Sequence, residues 1–528
     1  MRIILILFCF LSNTTVFSDD TQHPNILLLM ADDMRPNLGC LAETNSAHFS
    51  SLKMNTPNLD ALAAQSLLLE NAFVQQAVCS PSRSSLLTGR RPDTTRITDL
   101  FSYFRDLGGN FTTIPQFFKE QGYKTIGMGK VFHDGEEATP GDDPLSWSEP
   151  YHRAKDNYNT DYPWPWEGTD KSHSWRAITR EEISMNGPLQ DTLEADFVIK
   201  TLREMAPDSL LGVQPFLVAF GLRRPHLPFY FPEEFLDAYP VGTDDDPRNP
   251  FAPSDMPSVA WSNWGELRAF ADCTEESLGI PDLGRINVTI PIEKVRELRR
   301  AYYAAISYVD SEIGRVLEEV TSLGLDENTI IVFLGDHGWQ LGEHSEWCKH
   351  TNFEVAVRAP LIMKIPGSTN DGIRTNKLVE FVDIFPTLVE AAGFPALDLC
   401  EVDSHDTQLC TEGTSMTPLI KNPDFREWKD AVFFQYPRGG FVDHIPACMG
   451  YSIRTSMYRY TEWVQIQVLE GHNYEPSWEE PCWNEFHTEL YNLIEDPEEN
   501  VNIVLGDENV DVVHDLSRRL RAGWRNEM

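Results

Sequence analysis

The sequence predicts an α/β fold, a mostly parallel sheet flanked by helices, followed by a smaller C-terminal α+β unit. Three observations carry this. Apolar runs of strand length recur along the chain, helical periodicity falls between them, and beyond about Lys421 the texture changes to short aromatic and β-branched pieces between polar turns. Continuous apolar runs fit strands buried on both faces, and strand, helix, strand order fits a parallel sheet.

Taken in order, Arg2 precedes an apolar run that ends near Leu11, with small Ser18 at the cleavage position. Residues 1–18 therefore read as a secretory signal peptide, too short to span a bilayer. Four later runs end in polar groups. Ile26 to Met30 leads into Asp32-Asp33, and Thr125 to Met128 into Lys130 and His133. Phe216 to Phe220 leads into Arg223-Arg224-Pro225-His226, and Thr329 to Leu334 into Gly335-Asp336-His337-Gly338. Ligands of parallel sheets bind beyond the carboxyl ends of the strands, so the four runs form a constellation. Val295, Leu298, Tyr302, Ile306, Val309, Ile313, Val316 and Val320 recur at helical spacing before Gly324, and Leu378 to Ala392 suggests another helix. Ala431 to Tyr436 and Tyr458 to Val468 read as strands of the smaller unit. The expected division is 19–425 for a catalytic domain and 426–528 for the subdomain, with a loop near 421–430 between them. The acidic stretch Glu495 to Glu499 reads as a solvated face.

The chain has 528 residues, with 43 Lys+Arg against 81 Asp+Glu, a formal charge of −38. That balance excludes a nucleic-acid binder, which needs a basic face. Hydrophobic residues make up 41%, with 13 Trp, 29 Phe and 16 Tyr, which excludes a disordered chain. Without Cys9 of the signal, eight cysteines remain of nine. Cys400 and Cys410 close a short polar loop and are the first expected pair, and Cys448 with Cys482 the second. If Cys79 has a separate chemical role, seven remain, and at least one of Cys40, Cys273 and Cys348 is then free. Asn110-Phe111-Thr112 and Asn287-Val288-Thr289 are glycan acceptors for a chain that enters the secretory pathway.

The most informative stretch is Val78-Cys79-Ser80-Pro81-Ser82-Arg83-Ser84-Ser85-Leu86-Leu87-Thr88-Gly89-Arg90. Pro81 suits the first turn of a helix, which would place Cys79 at the positive end of the dipole beside Arg83, a site for an anion. A thiol packed under a loop is the bland alternative. The stretch resembles the sulfatase signature, C-x-P-S-R followed by L-T-G-R. Ala31-Asp32-Asp33, Thr56-Pro57-Asn58-Leu59-Asp60-Ala61-Leu62, Gly129-Lys130-Val131-Phe132-His133 and Gly335-Asp336-His337-Gly338 are further matches in family order. Thr88 to Arg96, Arg224 to Phe229 and Asp336 to His344 with Lys349-His350 resemble one branch of the family. Its members remove the 2-O-sulfate of terminal iduronate from heparan and dermatan sulfate. The segment Pro150 to Gln190, with Tyr162-Pro163-Trp164-Pro165-Trp166, matches nothing in that pattern.

The resemblance implies an alkaline-phosphatase-like fold, and oxidation of Cys79 to formylglycine by the formylglycine-generating enzyme during secretion. The aldehyde would hydrate to a diol, one hydroxyl of which attacks sulfur. Asp32, Asp33 and Asp336 are hard oxygen ligands suited to one Ca²⁺, with the residue-79 diol and, by resemblance, His337 completing the set. His337 supporting the ion from outside its ligand shell stays open. Arg83, Lys130 and Lys349 would surround the sulfate with positive charge. His226 or Lys349 would protonate the leaving sugar hydroxyl, and His133 would take a proton from the second diol hydroxyl to expel sulfate. Singly these residues have bland readings: a helix cap for Asp32-Asp33, a loop histidine for His226, a surface charge for Lys349. Asp244-Asp245-Asp246 reads as a solvated turn before a cation site. His344 and His350 are left without a role.

Two further readings stand beside this one. Another sulfatase or a phosphoesterase on the same scaffold would differ in substrate, and an inactive glycan-binding homologue would lack turnover. A chain at −38 repels a sulfated glycosaminoglycan at long range, within the limit that screening sets. The expected compartment is therefore acidic, the lysosome ahead of the extracellular space. No stable membrane insertion is expected.

Overall fold

In chain order the elements that frame the site are β1 (Asn25–Asp32), α1 (Pro57–Ala63), β2 (Leu67–Phe73), α2 (Cys79–Thr88), β3 (Lys124–Gly129), α3 (Gln190–Leu210), β4 (Phe216–Pro225), α4 (Ile292–Ser322), β5 (Thr329–Gly335), β6 (Leu361–Lys364), β7 (Ile373–Glu380) and α5 (Ile384–Ala391). This computed structural model describes residues 23–45, 52–133, 139, 141–158, 172–242, 245–469, 472–484 and 486–527. The expected signal peptide and the Tyr162 to Trp166 stretch lie outside them. The seven strands form one sheet in the order β7-β2-β6-β5-β1-β4-β3. β1 runs parallel to β4 and β5, β3 parallel to β4, and β7 parallel to β2, whereas β6 is antiparallel to both its neighbours.

Side chains alternate across a strand, and β1 shows what that does to the core. Leu27 and Leu29 pack with Val198 and Leu202 of α3 and Ile306 and Val309 of α4. Ile26, Leu28 and Met30 face the other way, against Leu86 and Leu87 of α2 and Phe385 and Leu388 of α5. The sheet is therefore covered on both faces. The apolar residues of α4 named in the sequence are all buried along its 31 residues.

A second sheet holds β8 (Ala431–Val442), β9 (Ile445–Thr455), β10 (Tyr458–Val468), β11 (Tyr474–Pro481) and β12 (Thr488–Asn492). It is antiparallel in the order β8-β9-β10-β11, with β12 also pairing β10, and helix α6 (Val510–Ala522) packs Leu516 and Leu520 against it. The segment before β8 is packed onto the first sheet. Trp428 Nε1 donates to the Leu378 carbonyl at 2.7 Å, and Lys429 binds Glu380 and Asp383.

Two local expectations need correction. Leu378 to Ala392 is not one helix: β7 continues to Glu380, a single turn follows, and α5 starts at Ile384. Leu378 and Val379 are recruited by pairing with Asn71 and Ala72 of β2. The acidic stretch is not wholly solvated, because Glu499 is buried, paired with Arg459 and accepting the Glu354 amide at 2.8 Å. Asp245 and Asp246 pair with Arg299 and Arg296 of α4, and Asp244 lies outside the described residues. Cys400 is bonded to Cys410 and Cys448 to Cys482, while Cys40, Cys273 and Cys348 are free. Asn110 and Asn287 are both exposed.

Candidate active site

The carboxyl ends of β1, β3, β4 and β5 meet the N-terminus of α2, and each delivers the polar residue that follows its apolar run. Cys79 is the first residue of α2, after extended Val78, and the whole helix is buried. Helix and strand ends thus converge on one thiol. Around its Sγ lie Asp32 Oδ1 at 3.5 Å, Asp33 Oδ1 at 3.8 Å, His337 Nε2 at 3.5 Å, Lys130 Nζ at 3.7 Å and Lys349 Nζ at 3.5 Å.

The cations are fixed by the acids between them. Arg83 donates through Nε to Asp336 Oδ2 at 2.9 Å and through Nη2 to Asp32 Oδ1 at 3.0 Å, while Lys130 pairs with Asp32 Oδ2. Lys349 reaches Asp33 Oδ1 at 2.7 Å and lies over the Trp339 ring. Lys130 owes its place to two glycines. Its amide donates to the Gly221 carbonyl at 2.7 Å, and a Cβ on left-handed Gly129 would stand 2.0 Å from that same oxygen.

Asp33 adopts a left-handed conformation, φ 60°, which costs a non-glycine residue about 1–3 kcal/mol and is common at functional sites. Tyr302 holds this turn, its hydroxyl donating to the Asp33 carbonyl at 2.7 Å and accepting from the Arg35 amide at 3.0 Å. His337 Nδ1 contacts the Gly338 carbonyl at 2.8 Å. A carbonyl only accepts, so Nδ1 carries the proton and Nε2 turns its lone pair to the acids. His226 is arranged alike, with Nδ1 on the Leu227 carbonyl and Nε2 3.7 Å from Asp33 Oδ2. His133 follows β3 on the Lys130 side, and its Nδ1 is buried without a hydrogen-bond partner.

The electrostatics divide these groups. Burial pushes the Cys79 thiol up to about 12, with Asp32 adding to the effect, so it is a protonated and weak nucleophile at physiological pH. Burial also opposes the charge on Asp32, yet Lys130 and Arg83 hold it well below the usual carboxylate range. Burial raises Asp33 well above that range, only partly offset by Lys349. Burial and Lys130 hold His133 and His226 well below the ordinary imidazole value, so both are neutral. For Lys349 burial favours the neutral amine, but Asp33 and Glu266 more than restore the charge.

The carboxylates of this donor set suit a hard divalent cation. Asp33, Cys79, Asp336 and His337 each offer an atom, all within 4.8 Å of one another, and Asp32 and His226 join Asp33 and Cys79 in an overlapping set. Asp33 Oδ2 is buried with no hydrogen-bond partner. A carboxylate that burial disfavours, with an unused oxygen facing other ligands, is what such an ion would relieve.

The structure thus brings together Asp32, Asp33, Cys79, Arg83, Lys130, His133, His226, Asp336, His337 and Lys349. Sequence reasoning missed Glu266, which contacts Lys349 at 3.2 Å, His226 at 3.4 Å and His350 at 3.1 Å. It follows no apolar run and belongs to no motif, so nothing local marks it. His350 enters through this contact and through Nδ1, 2.6 Å from the Tyr436 hydroxyl of β8. His344 stacks on Phe353 and contacts the Glu498 carbonyl, away from Cys79.

This fold and site define a sulfuric ester hydrolase, and the chain belongs to the sulfatase family, whose model matches residues 24–394. A second model, the C-terminal region of N-sulphoglucosamine sulphohydrolase, matches residues 342–474. Iduronate 2-sulfatase of Mus musculus is 36% identical over 94% of this chain and 93% of its own length. The Homo sapiens protein of the same name is 37% identical over 86% of this chain and 87% of its own. Among solved structures, a phosphonate monoester hydrolase of Agrobacterium radiobacter superposes with a TM-score of 0.67 at 21% identity, covering 96% of both chains. A protein solved with its substrate D-glucosamine-2-N,6-O-disulfate gives 0.66 at 20%, covering 95% of this chain and 97% of that one. At those identities the likeness is one of fold.

Proposed function

We propose that this chain removes the 2-O-sulfate from terminal iduronate of heparan and dermatan sulfate. The observation that carries the reaction is the thiol of Cys79 held among three cations and four metal-ligand side chains. The substrate rests on the two iduronate 2-sulfatases matched along nearly their whole length.

A buried thiol pushed to about 12 is unsuited to attack, which supports conversion of Cys79 to formylglycine by the formylglycine-generating enzyme during secretion. The hydrated aldehyde then supplies an oxygen nucleophile. Arg83, Lys130 and Lys349 bind the sulfuryl oxygens and stabilise the charge that gathers on them, the largest single contribution in such sites. Asp32, Asp33, Asp336 and His337, with the residue-79 diol, would hold a Ca²⁺ ion, which would supply positive charge and orientation at the same place. The S–O bond to the sugar breaks with its electron pair going to the sugar oxygen, which takes a proton from Lys349, or from His226 when its ring also carries a proton on Nε2. His133, neutral beside Lys130, accepts a proton from the second hydroxyl at position 79 as sulfate leaves and the aldehyde returns.

The expected destination is the lysosome, reached by a chain glycosylated at Asn110 and Asn287. The catalytic unit is assigned to 19–425 and the subdomain to 426–528. Purified protein assayed against defined sulfated disaccharides should cleave those with a terminal 2-sulfated iduronate. Cleavage only of a glucosamine 6-sulfate would overturn the substrate and leave the reaction class intact.

A further inference from the structure

We propose that Glu266 is a positioning residue for the leaving-group half of the reaction, holding Lys349 and His226 where the departing sugar oxygen must be protonated. The inference rests on the sulfatase reading above and adds to it a residue outside every family motif named here.

The site has a closed floor and an open wall. Arg83, Asp32, Asp336 and Asp33 side chains are at most 1% exposed, and Lys130 is 4% exposed. Glu266, His226 and His350 are 10%, 18% and 22% exposed. The sulfuryl group fits among the floor cations, so the alcohol part of an ester must leave through the wall. Glu266 lies in that wall and reaches both side chains through the same oxygen: Oε1 is 3.2 Å from Lys349 Nζ and 3.4 Å from His226 Nε2. Its Oε2 takes His350 Nε2 at 3.1 Å. A carboxylate only accepts, so His350 Nδ1 receives the Tyr436 hydroxyl, which ties the wall to β8.

The carrier of Glu266 is itself fixed to the loop that bears Lys349. Trp261 and Trp264 both donate through Nε1 to the Ser345 carbonyl, at 3.2 and 2.7 Å, and the Ser262 amide donates to Glu346 at 2.7 Å. On the far side Arg438 of β8 donates to the carbonyls of Val259 and Ala260, each at 2.8 Å. A carboxylate fixed at both ends is built to hold its partners still. Without it, Lys349 keeps Asp33 and so can still meet sulfate, while His226 loses its nearer acid.

The test separates proton delivery from sulfate binding by the leaving group. Glu266→Gln and Glu266→Asp are assayed on a 2-O-sulfated iduronate disaccharide and on 4-nitrophenyl sulfate, whose phenolate departs without a proton. Glu266→Gln should lose on the order of 10²-fold in kcat on the sugar and only a few-fold on the aryl sulfate, with KM for the aryl ester little changed. Glu266→Asp, which keeps the charge, should lose less on the sugar than Glu266→Gln. Equal losses on the two esters, or no loss on the sugar, in a Glu266→Gln variant that retains aryl turnover would overturn the proposal, as would a Glu266→Asp variant that loses more on the sugar than on the aryl ester and more than Glu266→Gln does. Wild-type protein that cleaves the aryl ester and not the disaccharide would instead overturn the substrate reading, and the same comparison then runs on the alkyl sulfate it does cleave.

Discussion

Cys79 concentrates the chemistry because Asp32, Asp33, Lys130 and Lys349 all lie within 3.8 Å of its sulfur atom. The two acid–base histidines are separated by position: His226 faces the open wall beside Glu266, whereas His133 lies past β3 next to Lys130. Loss of His133 should therefore spare departure of the alcohol and slow release of sulfate. His133→Ala is expected to give a burst of about one equivalent of desulfated product, then steady turnover reduced about 10²–10⁴-fold. Rapid-quench assays would show it, and a variant with no burst would place His133 in the first half of the reaction. Most of these side chains were legible in the sequence because each follows an apolar run or sits in the Cys79 segment. Glu266 and His350 were not, since their meaning comes from a loop of irregular backbone folding over the strand ends.

At the scale of elements, the strands that carry the site were readable and those that complete the sheet were less so. β1, β3, β4 and β5 are continuous apolar runs buried on both faces, the pattern that sequence shows most plainly. β6 has four residues, too short for a periodic signal, and β7 alternates exposed and buried positions before merging into the turn ahead of α5. The close approach of β3 to β4 makes a sharp prediction. A methyl group at Gly129 would meet the Gly221 carbonyl at 2.0 Å, so Gly129→Ala must push Lys130 off its anchor. A destabilisation of about 2–4 kcal/mol is expected, with kcat falling alongside it. Unchanged melting and turnover would mean that the β3 end is not what places Lys130.

Across the whole molecule, buried carboxyls and net charge favour mild acid together. Burial pushes Glu194 up to about 7 and Asp310 up to about 6. Each keeps its proton in the fold at a pH where the unfolded chain has lost it. Its contribution is complete below the ordinary carboxylate pKa and is lost as pH rises through about 6 to 7, at about 1.4 kcal/mol per unit of difference. Glu380 behaves oppositely. Burial opposes its charge, but Arg91 and Lys429 hold it at about 2, so its contribution is present above the ordinary value and lost only in strong acid. The two windows overlap near pH 5, where protonation also relieves self-repulsion in a chain at −38. Melting temperature should be higher near pH 5 than near pH 7.5, and Glu194→Gln should flatten the difference. A melting temperature that climbs toward pH 7.5 would contradict this and weaken the lysosomal assignment. The broad division of the molecule followed from the change of texture near Lys421. How closely the two sheets are joined did not, because Trp428 and Arg438 act over long sequence distances.

Activity turns on the chemical state of residue 79, and mass spectrometry of the peptide that spans it, on protein of measured specific activity, tests that most directly. The expected peptide is lighter than the encoded one by the difference between a thiol and an aldehyde, in a fraction that rises in step with specific activity across preparations. A fully active preparation whose peptide carries an intact thiol would contradict it.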